Sequence, residues 1–244
     1  MIETCITLLA AHLISDFVLQ WDWMVANKHK PRVLIAHVLI VGFTTAALLG
    51  ARDAQAYLAV LIIVITHLLI DKWKLKQRDT MLAFVADQLA HVAVIAVVAI
   101  CLPKLAQNGL WALLPGDMQA DYFRFLVVIS GIVIAVPLGG IMIKKLIKPI
   151  VPSSSLGAQG PQNVGRYIGW LERALTFGFI MVGKPEGVGF LLAAKSVLRF
   201  GDLQNNQQHR SQAEYIIVGT FLSFGWALLI AYASLLVAAR YATS

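Results

Sequence analysis

The chain has 244 residues, 59% of them hydrophobic and only 14% charged, with a mean hydropathy of +0.74. A soluble domain carries about 25% charged residues, so the composition excludes an ordinary soluble enzyme or nucleic-acid-binding domain. The net charge of +7 fits Lys and Arg gathered in the cytoplasmic loops of an inner-membrane protein, and no basic surface interleaved with aromatics is present to stack bases.

The apolar runs predict an all-α polytopic membrane protein, because lipid offers no partner to an open sheet edge and a crossing helix needs about 20 apolar residues. Taken in order, helices are expected over about 2–20, 32–50, 55–74, 79–101, 121–148, 164–183, 186–200 and 212–240. The first starts at Ile2 without a basic segment before it and carries His12 and Asp16, which reads as a retained helix and not a cleaved signal. Pro137 and the pair Gly139–Gly140 should kink the fifth or end its regular part. The seventh is short enough to be re-entrant. Segment 103–120 reads as a surface loop with an interfacial stretch. Segment 149–163 is rich in Pro, Gly and Ser and reads as a cytoplasmic linker. It would separate an amino-terminal membrane half, 1–148, from a three-helix carboxy-terminal half, 164–244.

Charge sets the expected orientation. Lys28, Lys30 and Arg32 follow the first helix, and Lys72, Lys74, Lys76 and Arg78 follow the third. Lys144, Lys145, Lys148 and Arg166 flank the linker, and Arg199 and Arg210 flank the connection after the seventh helix. The connections between these are poor in basic residues. Eight spans with both termini outside satisfy this alternation, and Trp21, Trp23 and Trp73 stand where anchors at the inner interface belong. Cys5 and Cys101 are too few for a disulfide scaffold or a thiolate metal site, although both fall near outer helix ends, where one bridge would fit.

The polar residues inside the apolar runs carry the chemistry. His12, Asp16 and Gln20 recur every four residues on helix one, so they share a face. Helix three carries His67 and Asp71, also four apart, and helix four carries Asp87, Gln88 and His91 in the reverse order, as an antiparallel neighbour would. His37 on helix two lies at a similar depth. Imidazole and carboxylate are costly in hydrocarbon and face one another or a wet cavity. Three such pairs on facing helices resemble the way di-metal sites are built in helical bundles, and this donor set suits zinc, manganese or iron. Metal binding by His12, Asp16, His67, Asp71, Asp87 and His91, a proton or ion relay, and structural hydrogen bonding are the three readings. With a metal, Asp16, Asp71 and Asp87 would be the catalytic carboxylates and His37 an outer or substrate-facing residue. A second set, Arg173, Lys195 and Arg199 with Glu172 and Glu214, reads either as ion pairs, Glu172 with Lys195 and Glu214 with Arg199, or as a pocket for an anionic headgroup. No HExxH, GxSxG or P-loop motif is present.

The segments AHLISDFVLQ (11–20), NKHKPRVLIAH (27–37), THLLIDKWK (66–74) and DQLAH (87–91) resemble the bacterial domain-of-unknown-function 3307 family. GRYIGWLER (165–173), GFLLAAKSVLRFGD (189–202) and AEYIIVGT (213–220) are similar to extended members. The resemblance implies a multi-span membrane architecture and carries no established activity with it. The helices bearing His and Asp also resemble, more faintly, membrane-bound metal-dependent hydrolases. Three functions follow as expectations. The leading one is a metal-dependent membrane hydrolase or phosphoryl-group enzyme. It would act on a lipid-linked or phosphate-bearing anionic amphipathic substrate at the cytoplasmic leaflet, with His37, Arg173, Lys195 and Arg199 on the substrate. The others are a proton- or metal-ion-coupled transporter or channel, and a non-catalytic assembly or regulatory subunit.

Overall fold

The computed structural model describes residues 1–149, 164–200 and 207–241, with side chains described outside 198–216. Among them the chain is all α, with no strand. The helices are α1 (Ile2–Phe17), α2 (Asp22–Asn27), α3 (Pro31–Leu49), α4 (Ala54–Lys74), α5 (Met81–Cys101), α6 (Gly116–Val133), α7 (Gly139–Ile147), α8 (Val164–Met181), α9 (Glu186–Phe200) and α10 (Gln207–Ala238). The chain forms two compact units, Met1–Val133 with Val237–Ser244, and Ile134–Leu236. The expected linker over 149–163 lies, beyond Pro149, outside the described residues.

Local chemistry sets the helix ends. Pro31 opens α3, where its missing N–H costs nothing, and Gly50 closes it in the left-handed region at φ 59°. The Asp53 carboxylate accepts from Ala56 N–H at 2.8 Å to cap α4, and the Thr80 hydroxyl accepts from Ala83 N–H at 3.1 Å to cap α5. The kink expected at Pro137 is a π-helical turn, Ile134–Leu138, between α6 and α7, since proline cannot donate to the regular ladder. The short helix α2 was not anticipated. It stands where the sequence shows only a basic connection, with Trp21 and Trp23 exposed and Met24 buried.

In the first unit α1 is the centre, packed by α3, α5 and α6, while α4 bridges α3 and α5. Ala10 and Ala11 are fully buried and let the neighbours come close. Gly42 does the same between α3 and α4, where a Cβ would lie 2.9 Å from Val64 Cγ2. Leu8, Val41, Leu49, Ala59, Ile63, Ile95, Val98 and Leu126 form an apolar core. Segment 102–115 forms two short 3-10 turns and closes the end of the unit where α1 begins. There Met1 N donates to Pro103 O at 2.6 Å, Arg52 Nε to Asn108 O at 2.7 Å and Trp111 Nε1 to Ala47 O at 2.8 Å. Cys5 and Cys101 are free thiols.

Among the described residues, five helical stretches are long and apolar enough to cross a membrane: Pro31–Leu49, Ala54–Lys74, Met81–Cys101, Gly116–Ile147 and Ile217–Tyr241. Their outward rows, such as Ile35, Leu39 and Phe43 on α3 or Leu58, Leu61, Ile65 and Leu69 on α4, are large, apolar and exposed, as a lipid-facing surface requires. The eight expected helices are thus more numerous than the stretches of spanning length. The 16 residues of α1 and 15 of α9 rise about 24 and 22 Å, short of a hydrocarbon core of about 30 Å.

A candidate metal centre of histidines and aspartates

The polar side chains of the first unit collect at one end, where α1 and α4 finish and α3 and α5 begin. Antiparallel neighbours therefore deliver His12 and Asp16, His37, His67 and Asp71, and Asp87 and His91 to one level. His12, His37, His67, Asp71, Asp87 and His91 are all buried, and the Asp16 side chain is nearly so.

Four atoms make the tightest group. His37 Nε2 and His67 Nε2 are 3.0 Å apart, a hydrogen bond between the two imidazoles. Asp16 Oδ1 lies 3.4 Å from the first and 3.5 Å from the second. Asp71 Oδ2 lies 3.7 and 3.4 Å from the same two nitrogens. Donors about 2.0–2.2 Å from a tetrahedral ion stand roughly 3.3–3.6 Å apart. Asp16 Oδ1 and Asp71 Oδ2 each lie near that spacing from both imidazole nitrogens, and we call these four atoms the cage, its two carboxylates falling in separate donor sets. Asp16 Oδ1 and Asp71 Oδ2 are buried without a hydrogen-bond donor among the described residues. A buried carboxylate oxygen in that position calls for a proton or a cation.

Around the cage the remaining groups are held in place. Lys28 Nζ, from the connection between α2 and α3, donates to Asp71 Oδ1 at 2.7 Å. Gln88 Nε2 donates to Asp87 Oδ2 at 3.1 Å, which leaves Gln88 Oε1 to accept from His12 Nε2 at 3.2 Å. That bond places the His12 proton on Nε2 and turns Nδ1 towards Asp16 Oδ2, 3.9 Å away. The His91 ring lies 4.3 Å from that of His67 and 4.8 Å from that of His12, centre to centre. Three sets of donors reach within 4.8 Å of one another: His12, His67 and His91; Asp16, His37 and His67; and Asp71, Asp87 and His91.

Residues 4–115 match the family described as Protein of unknown function (DUF3307). This part of the chain is similar to the DUF3307 family. The matched segment holds every histidine and aspartate of the cluster, together with Lys28 and Gln88, and it takes in the turns of 102–115. Segments 165–173, 189–202 and 213–220 lie beyond the match. No curated protein and no solved structure matches the chain.

The second expected set lies in the second unit. Arg173 is buried; its Nε donates to Val136 O at 3.2 Å and its Nη1 to Ser223 Oγ at 3.1 Å. Val136 belongs to the π turn, and Trp226 Nε1 donates to another of its carbonyls, Ile134 O, at 2.9 Å. The guanidinium thus serves one backbone acceptor of the widened turn and the Trp226 indole serves another. Lys195 Nζ pairs with Glu172 Oε2 at 2.6 Å, so this set contains the ion pair and both its described cations are engaged. The side chains of Arg199 and Glu214 lie outside the described residues.

Two details of the cluster, the inner position of His37 and the contact of Lys28, escape a sequence reading. His37 has no carboxylate four residues away to mark it, yet its Nε2 enters the cage. Lys28 sits among several loop lysines that all look like topology signals, and only packing brings it onto Asp71.

Proposed function

We propose that this chain is a metal-dependent hydrolase or phosphoryl-group enzyme of the bacterial inner membrane. It acts on an anionic amphipathic substrate at the cytoplasmic leaflet. The observation that carries this reading is the cage of Asp16 Oδ1, His37 Nε2, His67 Nε2 and Asp71 Oδ2, with both carboxylate oxygens lacking a hydrogen-bond donor among the described residues. Imidazole with carboxylate suits zinc, manganese or iron. Such an ion polarises an ester or phosphoryl oxygen and acidifies a water. Lys28 holds Asp71 in orientation and adds a cation on the side of the loop, and Gln88 holds Asp87.

Two further observations favour an enzyme over a transporter. Beyond the imidazoles, the cavity next to His12, His67 and His91 has a volume of about 10 Å³ and is otherwise lined by Val41, Ile63, Thr66, Val94 and Ile95. The core that follows is apolar, whereas a conducting path needs polar groups through its full depth. A groove of about 310 Å³ also opens on the outer faces of α4 and α5, lined by Leu69, Ile70, Trp73, Ala86 and Ala90. These residues neighbour Asp71, Asp87 and His91 in the chain, and an acyl chain suits such a groove. Eight spans with both termini outside remain the arrangement that the Lys and Arg distribution favours.

The test is turnover. Detergent-purified protein reloaded with zinc or manganese should hydrolyse a lipid phosphate ester, lose that activity to a chelator and regain it with metal. Metal-loaded protein inert on ester and phosphate-ester lipids alike would end the enzyme reading.

A further inference from the structure

The cage leaves two buried donors unused, and they point to a second cation. Asp87 and His91 are 7% and 4% exposed. Asp87 Oδ1 and His91 Nε2 are 3.7 Å apart, too far for a hydrogen bond, and neither has a hydrogen-bond partner among the described residues. Their aim is built in. Gln88 takes the other oxygen of Asp87, and His12 takes the oxygen of Gln88, so Oδ1 is the oxygen left facing inward. Asp71, already part of the cage, offers its carboxylate to this pair too, with donors of Asp71, Asp87 and His91 all within 4.8 Å of one another. A carboxylate that faces both donor groups can lie between a pair of ions about 3.5–4 Å apart.

We infer that the cluster is a two-cation centre, the second ion held by Asp87 and His91 with Asp71 between the two, and that its substrate is a phosphate ester. This rests on the metal reading of the first cage. Two divalent ions bring more positive charge than Asp16, Asp71 and Asp87 carry, and Lys28 adds to the excess, so the loaded centre attracts an anion. Paired ions stabilise both the entering and the departing oxygen of an in-line displacement at phosphorus. In hydrolysis the water oxygen bonds to phosphorus, the ester P–O bond breaks, and the departing oxygen leaves with a proton, so no oxidant or reductant is consumed.

Manganese titration of the metal-stripped full chain in detergent, read by electron paramagnetic resonance, tests this. The expected result is two equivalents, the second accompanied by a spin-coupled signal and bound more tightly when inorganic phosphate is present. Asp87→Asn and His91→Gln should each lose the second equivalent and keep the first, which also reports that they fold. If either variant fails to fold, the coupled signal of the unaltered protein decides. One uncoupled equivalent overturns the second cation and leaves the cage standing. No bound manganese removes the cage as well. Two equivalents indifferent to phosphate overturn the substrate class.

Discussion

Asp71 divides its carboxylate between two partners: Oδ1 accepts from Lys28 Nζ at 2.7 Å, while Oδ2 turns to His67 Nε2 at 3.4 Å. A lysine from a loop thereby sets the orientation of a donor inside the bundle. Groups that orient a metal's ligands contribute about 10–100-fold to its affinity. Lys28→Met should therefore weaken metal binding by roughly tenfold or more without abolishing it, as measured by competition with a chromophoric chelator. An unchanged affinity would make the contact a surface tether.

His37 and His12 separate the two roles an imidazole can take here. His37 Nε2 shares a 3.0 Å hydrogen bond with His67 Nε2 inside the cage, which an ion between them would replace, whereas His12 Nε2 bonds to Gln88 Oε1 outside it. His37→Gln should lose tightly bound metal, and His12→Gln should retain the first equivalent with lowered affinity. The reverse ranking in metal content would exchange the two residues.

Much of this cluster is legible from spacing. His12 with Asp16, His67 with Asp71 and Asp87 with His91 are each four apart, so helical periodicity alone puts each pair on one face, and the reversed order on α5 follows from antiparallel packing. His37 and Lys28 are not legible, because their place depends on how α3 and the turn before it pack against α4, which no local pattern encodes. The same holds for Arg173. Its sequence neighbours suggest an anion pocket, but the π turn at Pro137 and Ser223 supply its acceptors, and a proline in a sequence signals a disturbed helix without saying who repairs it. Helix positions are readable from hydropathy, but which helices reach spanning length is not, since α1 has 16 residues and is packed by α3, α5 and α6.

Arg173 should be a stability residue. Removing its guanidinium strands Val136 O and the Ser223 hydroxyl in a buried setting, at about 1–3 kcal/mol for each group left unpaired. Arg173→Ala should lower the Tm in detergent and leave metal content unchanged, and Arg173→Lys should fall between, because an ammonium cannot span both acceptors. Gly140→Ala should also destabilise, since its Cβ would come within 2.8 Å of Arg173 Nη2. Loss of phosphate or lipid binding by Arg173→Ala with an unchanged Tm would restore the anion-pocket role.

The most direct measurement is the metal content of the full chain, purified in detergent and dialysed against metal-free buffer. It is compared with His67→Gln and with Asp16→Asn, each checked for membrane insertion and a monodisperse elution profile. At least one equivalent of zinc, manganese or iron should stay with the unaltered protein and be lost from both variants. Metal-free protein that also fails to take up any of the three ions on reloading would contradict the cage, leaving the histidines and aspartates as a hydrogen-bonded core.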